Sequence, residues 1–265
     1  MASVTELPVS SLPSKGYGYK FNMVRLPKLV FNQITEYSSE VHKCNNELAT
    51  FLCEIKHLLL NLQNGSEISM YDAIPLMAIR CYTSTSEKLT DFIKIKYHCP
   101  LHDRQEVMKV DMTKMKFNDM DPMLRKIKAV KLDGVFYDLR IPTVGEFVAT
   151  AEKIKLKLPK TYALKYAWMM SAFTGIEKSD KENEHLADRV LNAISKSDSK
   201  DILALNKIYS LLTGAFTYFV AHCGDKEGGE PVVRIPTIEP ITDTFQNILL
   251  NEEFDQDTFN IREDE

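Results

Sequence analysis

No stretch of this sequence approaches the ~18 consecutive apolar residues that a membrane-spanning helix needs. Residues 1–15 also lack the positive start and following apolar run of a secretory signal. An excess of one charge is missing as well. Lys and Arg number 33 against 37 Asp and Glu, a net charge of −4 and a pI of about 5.9. No global field therefore favours nucleic acid or anionic lipid. Five cysteines, an odd count at irregular spacing, do not form the disulfide framework of a small secreted domain and suit a reducing compartment. Catalytic signatures are missing too: there is no G-x-S-x-G, no glycine-rich phosphate loop opening a helix and no H-E-x-x-H.

What is present is an ordinary globular composition, 44% hydrophobic and 26% charged over 265 residues, long enough to bury a sizeable core. The patterning predicts an α+β fold with a long N-terminal helix, a small antiparallel β-hairpin element resembling a zinc knuckle, and a C-terminal helical half. It divides the chain into an extended arm at 1–32, a helix-plus-hairpin region at 33–142, a helical region at 143–223, and a turn with an acidic tail at 224–265.

In the arm, Pro8, Pro13 and Pro27 block helix, and the glycines of Lys15-Gly16-Tyr17-Gly18-Tyr19 allow turns, so the chain is extended and packs on itself or reaches a partner. Residues 33–63 carry the strongest helical signal. Ile34, Val41, Leu48, Ile55 and Leu62 recur every seventh residue, shadowed three behind by Tyr37, Cys44, Phe51 and Leu58. Asn32 is placed to cap this helix and Asn64-Gly65 to stop it. Its seam, Ile34, Tyr37, Val41, Leu48, Phe51 and Ile55, either closes on the chain's own core or forms an interface between subunits. Cys44 and Cys53 fall on different faces of one continuous helix and read as packing residues.

A shorter helix over 67–82, weakened by Pro75, precedes a stretch of strict alternation. Phe92 to Met112 alternates on both sides of a polar tip, the pattern of a β-hairpin. A second hairpin is predicted around Asp133-Gly134. Thr143 with Glu146 three residues later forms a capping box that opens the helical half. That half continues with helices from Lys160 to Gly175, from Leu186 to Ile194, and from Ile202 to Cys223. The charges at 177–184 read as a solvated connection. The tail from Asn251, acidic with Phe254, Phe259 and Ile261, is either disordered or an adaptor docking a few apolar side chains.

The candidate chemistry lies at the first hairpin's tip. Cys99 and His102, two residues apart on a turn, have the spacing of half a zinc site, and His222-Cys223 offers a second pair if the fold brings the two together. Cys81 is a substitute. Asp119 and Asp121 sit in a polar loop with no companion base. Met108, Met112, Met115, Met120 and Met123 read as gap-filling core, and the alternating lysines from 88 to 131 as the wet face of a sheet.

Three short stretches occur in order: Leu12-Pro13-Ser14-Lys15-Gly16; Cys99-Pro100-Leu101-His102 followed by Gln105-Glu106-Val107; and Leu132-Asp133-Gly134 leading into Leu139-Arg140-Ile141-Pro142-Thr143. Together they resemble the T4-type bacteriophage baseplate hub and hub-assembly proteins. In that family a helical segment leads to a hairpin bearing Cys-Pro-x-Cys-Gly, and a second cysteine turn often follows a helical region. Here His102 stands at the second cysteine and Asp103 at the glycine. The resemblance implies a non-enzymatic component of a contractile tail baseplate, in the virion after assembly in the host cytoplasm. Its partners would be other baseplate and tail proteins in an oligomeric assembly, with no nucleic acid and no membrane span. A transient tail-assembly chaperone and a zinc-knuckle binding module are the alternatives.

Overall fold

The computed structural model describes residues 4–85, 92–99, 101–111, 117–126, 129–132, 135–154, 163–173, 199–215, 218–222 and 231–236. Among these residues the fold is mixed, with seven helices and four antiparallel strand pairs.

The N-terminal arm is folded back on itself. Strand β1 (Val4–Pro8) pairs antiparallel with β2 (Met23–Pro27). Val24 and Leu26 point into the core while Met23 and Arg25 face out, the period of two that a half-buried strand requires. The connecting loop tucks Leu12 and Ser14 inside. Gly16 makes its turn at φ +77, where a side chain would also crowd Val9. Ser14 then reaches far along the chain. Its amide donates to Asp72 Oδ1 at 2.9 Å, and its carbonyl accepts from Arg125 Nη2 at 3.0 Å.

The single helix expected over 33–63 is not formed. The chain makes α1 (Phe31–Val41), turns through 42–46, and starts again as α2 (Glu47–Ile55). The Asn46 side chain accepts the Ala49 amide at 2.9 Å, so the asparagine pair at 45–46 caps a new helix instead of continuing the old one. Beyond Ile55 the helix widens into a π turn over Lys56–Leu60. It ends at Leu60, capped by Asn61, so the expected stop at Asn64-Gly65 comes early; Asn64 takes the left-handed conformation at φ 58 after that end, before a short 3-10 turn. A Cβ on Gly65 would lie 2.1 Å from the Leu59 carbonyl oxygen, so only glycine fits there.

The seam closes inside the molecule. Ile34, Tyr37, Leu48, Phe51 and Ile55 are buried, and half-buried Val41 packs against the same core. Five of these six residues therefore face the chain's own interior, and Val41 keeps part of its side chain exposed.

Helix α3 (Met70–Thr85) carries Pro75 within it and presents Arg80 to the π turn. Only 1% exposed, Arg80 gathers the carbonyls that a widened helix leaves unmatched. It donates to Leu58 O at 2.7 Å, His57 O at 3.3 Å, Asn61 Oδ1 at 2.8 Å and Pro27 O at 3.1 Å. One guanidinium thus ties the end of β2 to the π turn and to α3.

Two hairpins follow where the alternation places them: β3 (Phe92–Cys99) with β4 (Arg104–Asp111), and, beyond the short α4 (Pro122–Lys126), β5 (Ala129–Leu132) with β6 (Val135–Asp138). They are separate two-stranded pairs. Then comes α5 (Val144–Ile154), opened by the expected capping box: Thr143 N donates to Glu146 Oε2 at 2.8 Å and Glu146 N to Thr143 Oγ1 at 3.3 Å. With α6 (Ala163–Phe173) it closes over α2. The rings of Phe51 and Phe147 meet edge to face at 5.7 Å, and Phe147 lies 5.5 Å from Trp168.

Helix α7 (Ser199–Leu212) ends well before Cys223, which corrects the long helix expected from Ile202. Thr213 and Gly214 turn the chain, and the aromatic and β-branched run Tyr218-Phe219-Val220 prefers a strand. It forms β7 (Tyr218–His222), paired with β8 (Pro231–Pro236). The expected helix over 186–194, the charged stretch at 177–184 and the tail from Asn251 lie outside the described residues. The core draws on the arm, on α1 to α3 and on the C-terminal helices alike.

Candidate functional site

The hairpin tip is built by strand register. The ladder ends at Cys99 opposite Arg104, and two positions earlier Tyr97 stands opposite Glu106. Because Cys99 and Glu106 lie near the same end of the two strands, the turn between them brings His102 over both. His102 Nδ1 is 3.6 Å from Cys99 Sγ and 3.3 Å from Glu106 Oε1. The three donor groups, a sulfur, an imidazole nitrogen and a carboxylate oxygen, lie within 4.8 Å of one another.

Their surroundings hold them in place. Glu106 Oε2 accepts from the Tyr97 hydroxyl at 2.8 Å, and Oε1 accepts from Arg104 Nε at 3.1 Å. The Tyr97 hydrogen bond, with Arg104 assisting, holds the Glu106 carboxyl below the usual carboxylate range. Cys99 is fully buried, whereas the His102 side chain is 45% exposed, so the cluster opens to solvent on the histidine side. Asp103 adopts φ 49, the left-handed conformation a knuckle usually gives to glycine. Aspartate is among the few residues that tolerate it. Its carboxylate meets His98 Nε2 at 3.0 Å.

This geometry discriminates between chemistries. A cysteine nucleophile with a histidine base needs both ring nitrogens, one for the thiol and one for the orienting carboxylate. His102 offers the same nitrogen to both neighbours, and the thiol is sealed from solvent. Three donors converging on one point suit a cation of zinc type.

The structure brings Cys99 and His102 together as their spacing predicts and adds Glu106, which no local spacing announces. Only the register of β3 on β4 places it. The second half of the expected site is less accessible: His222 is the last residue of β7, opposite Pro231, and Cys223 lies outside the described residues. Strand β8 lies against β3, so the hairpin that carries His222 adjoins the one that carries Cys99. Asp119 pairs with Lys15 at 2.6 Å, and Asp121 accepts the Met123 amide at 2.8 Å; both carboxylates serve local structure. Cys81 is buried in α3, where burial pushes its thiol up to about 12. Among the described residues no helix is long and apolar enough to cross a membrane.

No protein-family pattern, no curated protein and no solved structure matches this chain.

Proposed function

We propose that the protein is a non-enzymatic assembly component of a contractile phage tail baseplate hub, working through protein–protein contacts. The observation that carries this reading is the way its family-like stretches meet in space. Ser14 binds Asp72 through its amide, Met70 N donates to Pro142 O at 2.9 Å, and Ser69 bridges Thr143. Segments 12–16 and 139–143, more than a hundred residues apart, thus converge on 69–72. Short matches that arise by chance have no reason to share one packing site; positions that define a fold do.

The third stretch, at 99–107, fits a knuckle. Cys99, His102 and Glu106 would hold a structural zinc, which would lock the hairpin tip, and Asp103 keeps the backbone shape of the missing glycine. Elemental analysis of the purified Cys44→Ser chain reads this tip with the helical site described below weakened. Less than about a tenth of an equivalent of zinc discards the knuckle.

Quantitative mass spectrometry of purified particles tests the main reading. A hub component is present in fixed copy number relative to other tail proteins. Presence in infected lysate but not in particles would favour the transient chaperone, and absence from tail assemblies of any kind would end the proposal.

A further inference from the structure

The turn at 42–46 has a chemical result that a continuous helix forbids. It folds the end of α1 back on α2, so residues nine and seventeen apart in sequence become neighbours. Glu40 Oε2 lies 3.0 Å from His57 Nε2. Cys53 Sγ joins them, the three donor atoms lying within 4.8 Å of one another. The Cys44 thiol donates to the Glu40 carbonyl at 3.5 Å, which places it beside these three donors without being one of them. Stepping four residues back along one arm and four forward along the other converts the pair Cys44–Cys53 into the pair Glu40–His57. That is the register of a helical hairpin closing on itself, with each arm supplying two ligands one turn apart.

We infer that Glu40, Cys44, Cys53 and His57 form a four-coordinate site for a borderline-soft divalent cation of the zinc class. The donor set, two sulfurs, one imidazole and one carboxylate, is of the kind such ions take tetrahedrally. Access is available, because Cys44 and Glu40 are half-buried while Cys53 and His57 form the floor. Charge also balances. Two thiolates and a carboxylate around a dication leave one negative charge, and Lys56 Nζ already sits 2.8 Å and 3.1 Å from the two Glu40 oxygens. With Glu40 Oε2 turned to the metal, Lys56 keeps Oε1 as the outer partner that ligating carboxylates generally have. His57 belongs to the π turn, a distortion that often accompanies a functional residue. The site is separate from the hairpin tip and does not depend on the baseplate reading.

Cobalt(II) titration of the reduced, chelator-stripped full-length chain tests this inference. A thiolate-to-cobalt charge-transfer band of two sulfurs and the intense visible absorption of a tetrahedral ion are expected at one equivalent, both displaced by zinc. Because Cys53 is buried, the variants are Cys44→Ser and Glu40→Gln, at less buried positions, with circular dichroism to confirm that they fold. Each should weaken cobalt binding at least about tenfold, whereas a Cys99→Ser, His102→Ala double variant should leave the two-sulfur spectrum in place. Three outcomes overturn the inference: no tetrahedral spectrum, a spectrum unchanged by both α1-side variants, or one abolished by the hairpin variant. A Cys44–Cys53 disulfide in the isolated chain that, once reduced, takes no cobalt would overturn it as well and identify the pair as a redox couple.

Discussion

Arg80 and Asp72 are the two fully buried charges on α3, and each settles its desolvation differently. Arg80 spends its donors on the oxygens around the π turn, and burial still lowers its guanidinium to about 10. Replacing it with Ala leaves the Leu58 and His57 carbonyls without that donor, and a loss of about 3–5 kcal/mol is expected from chemical denaturation. Arg80→Lys should recover only part of that loss, since an ammonium group cannot span the same acceptors. Asp72 accepts from Ser14 N and Tyr19 OH, yet burial outweighs those bonds and raises its carboxyl above the ordinary 3.8. The sign of the linkage follows from that direction. A carboxyl raised on folding adds stability that is complete below its unfolded value and is lost as pH climbs through its folded value. Melting temperatures should therefore fall from mildly acid to neutral pH more steeply for the native chain than for Asp72→Asn. Equal slopes would show that Asp72 is not the group responsible.

At the scale of elements, the capping box at Thr143 and both central hairpins were legible in the sequence. Each is a local signal that tertiary packing had no cause to overrule. The break at 42–46 was not. Val41, Cys44 and Leu48 keep the seven-residue rhythm straight through it, and only the asparagine pair gives notice that a cap competes with continuation. Reading one helix there also sent Cys44 and Cys53 to different faces, which hid their proximity. At the hairpin tip Cys99 and His102 were legible from spacing, but Glu106 arrives across the ladder, where no spacing rule looks. Residue 103 offers a direct check on that tip. Asp103 holds a left-handed φ at some cost, so Asp103→Gly should leave stability unchanged or raise it by up to about 1 kcal/mol in a denaturation midpoint. A clear loss would show that the His98–Asp103 contact outweighs the strain.

For the whole molecule, the location of the heptad seam decides what its disruption will look like. Leu48 is 3% exposed, inside a core shared with α3, α5 and α6. Leu48→Asp should cost several kcal/mol and abolish cooperative unfolding, because an unpaired carboxylate cannot be accommodated there. A folded Leu48→Asp chain that merely failed to associate would contradict the internal seam. With the seam internal, contacts with any other protein are left to surfaces outside it, such as Leu101 at the hairpin tip or Phe31 at the start of α1, both exposed.

The closure of the N-terminal hairpin bears on how the chain is made. Its residues are made before those that hold them: Ser14 finds one partner 58 positions later, in Asp72, and another 111 positions later, in Arg125. Until those segments emerge, Leu12, Val24 and Leu26 have no lid. This hairpin therefore waits for its cover during synthesis, and for that interval its apolar face is open to chaperones or to other nascent copies.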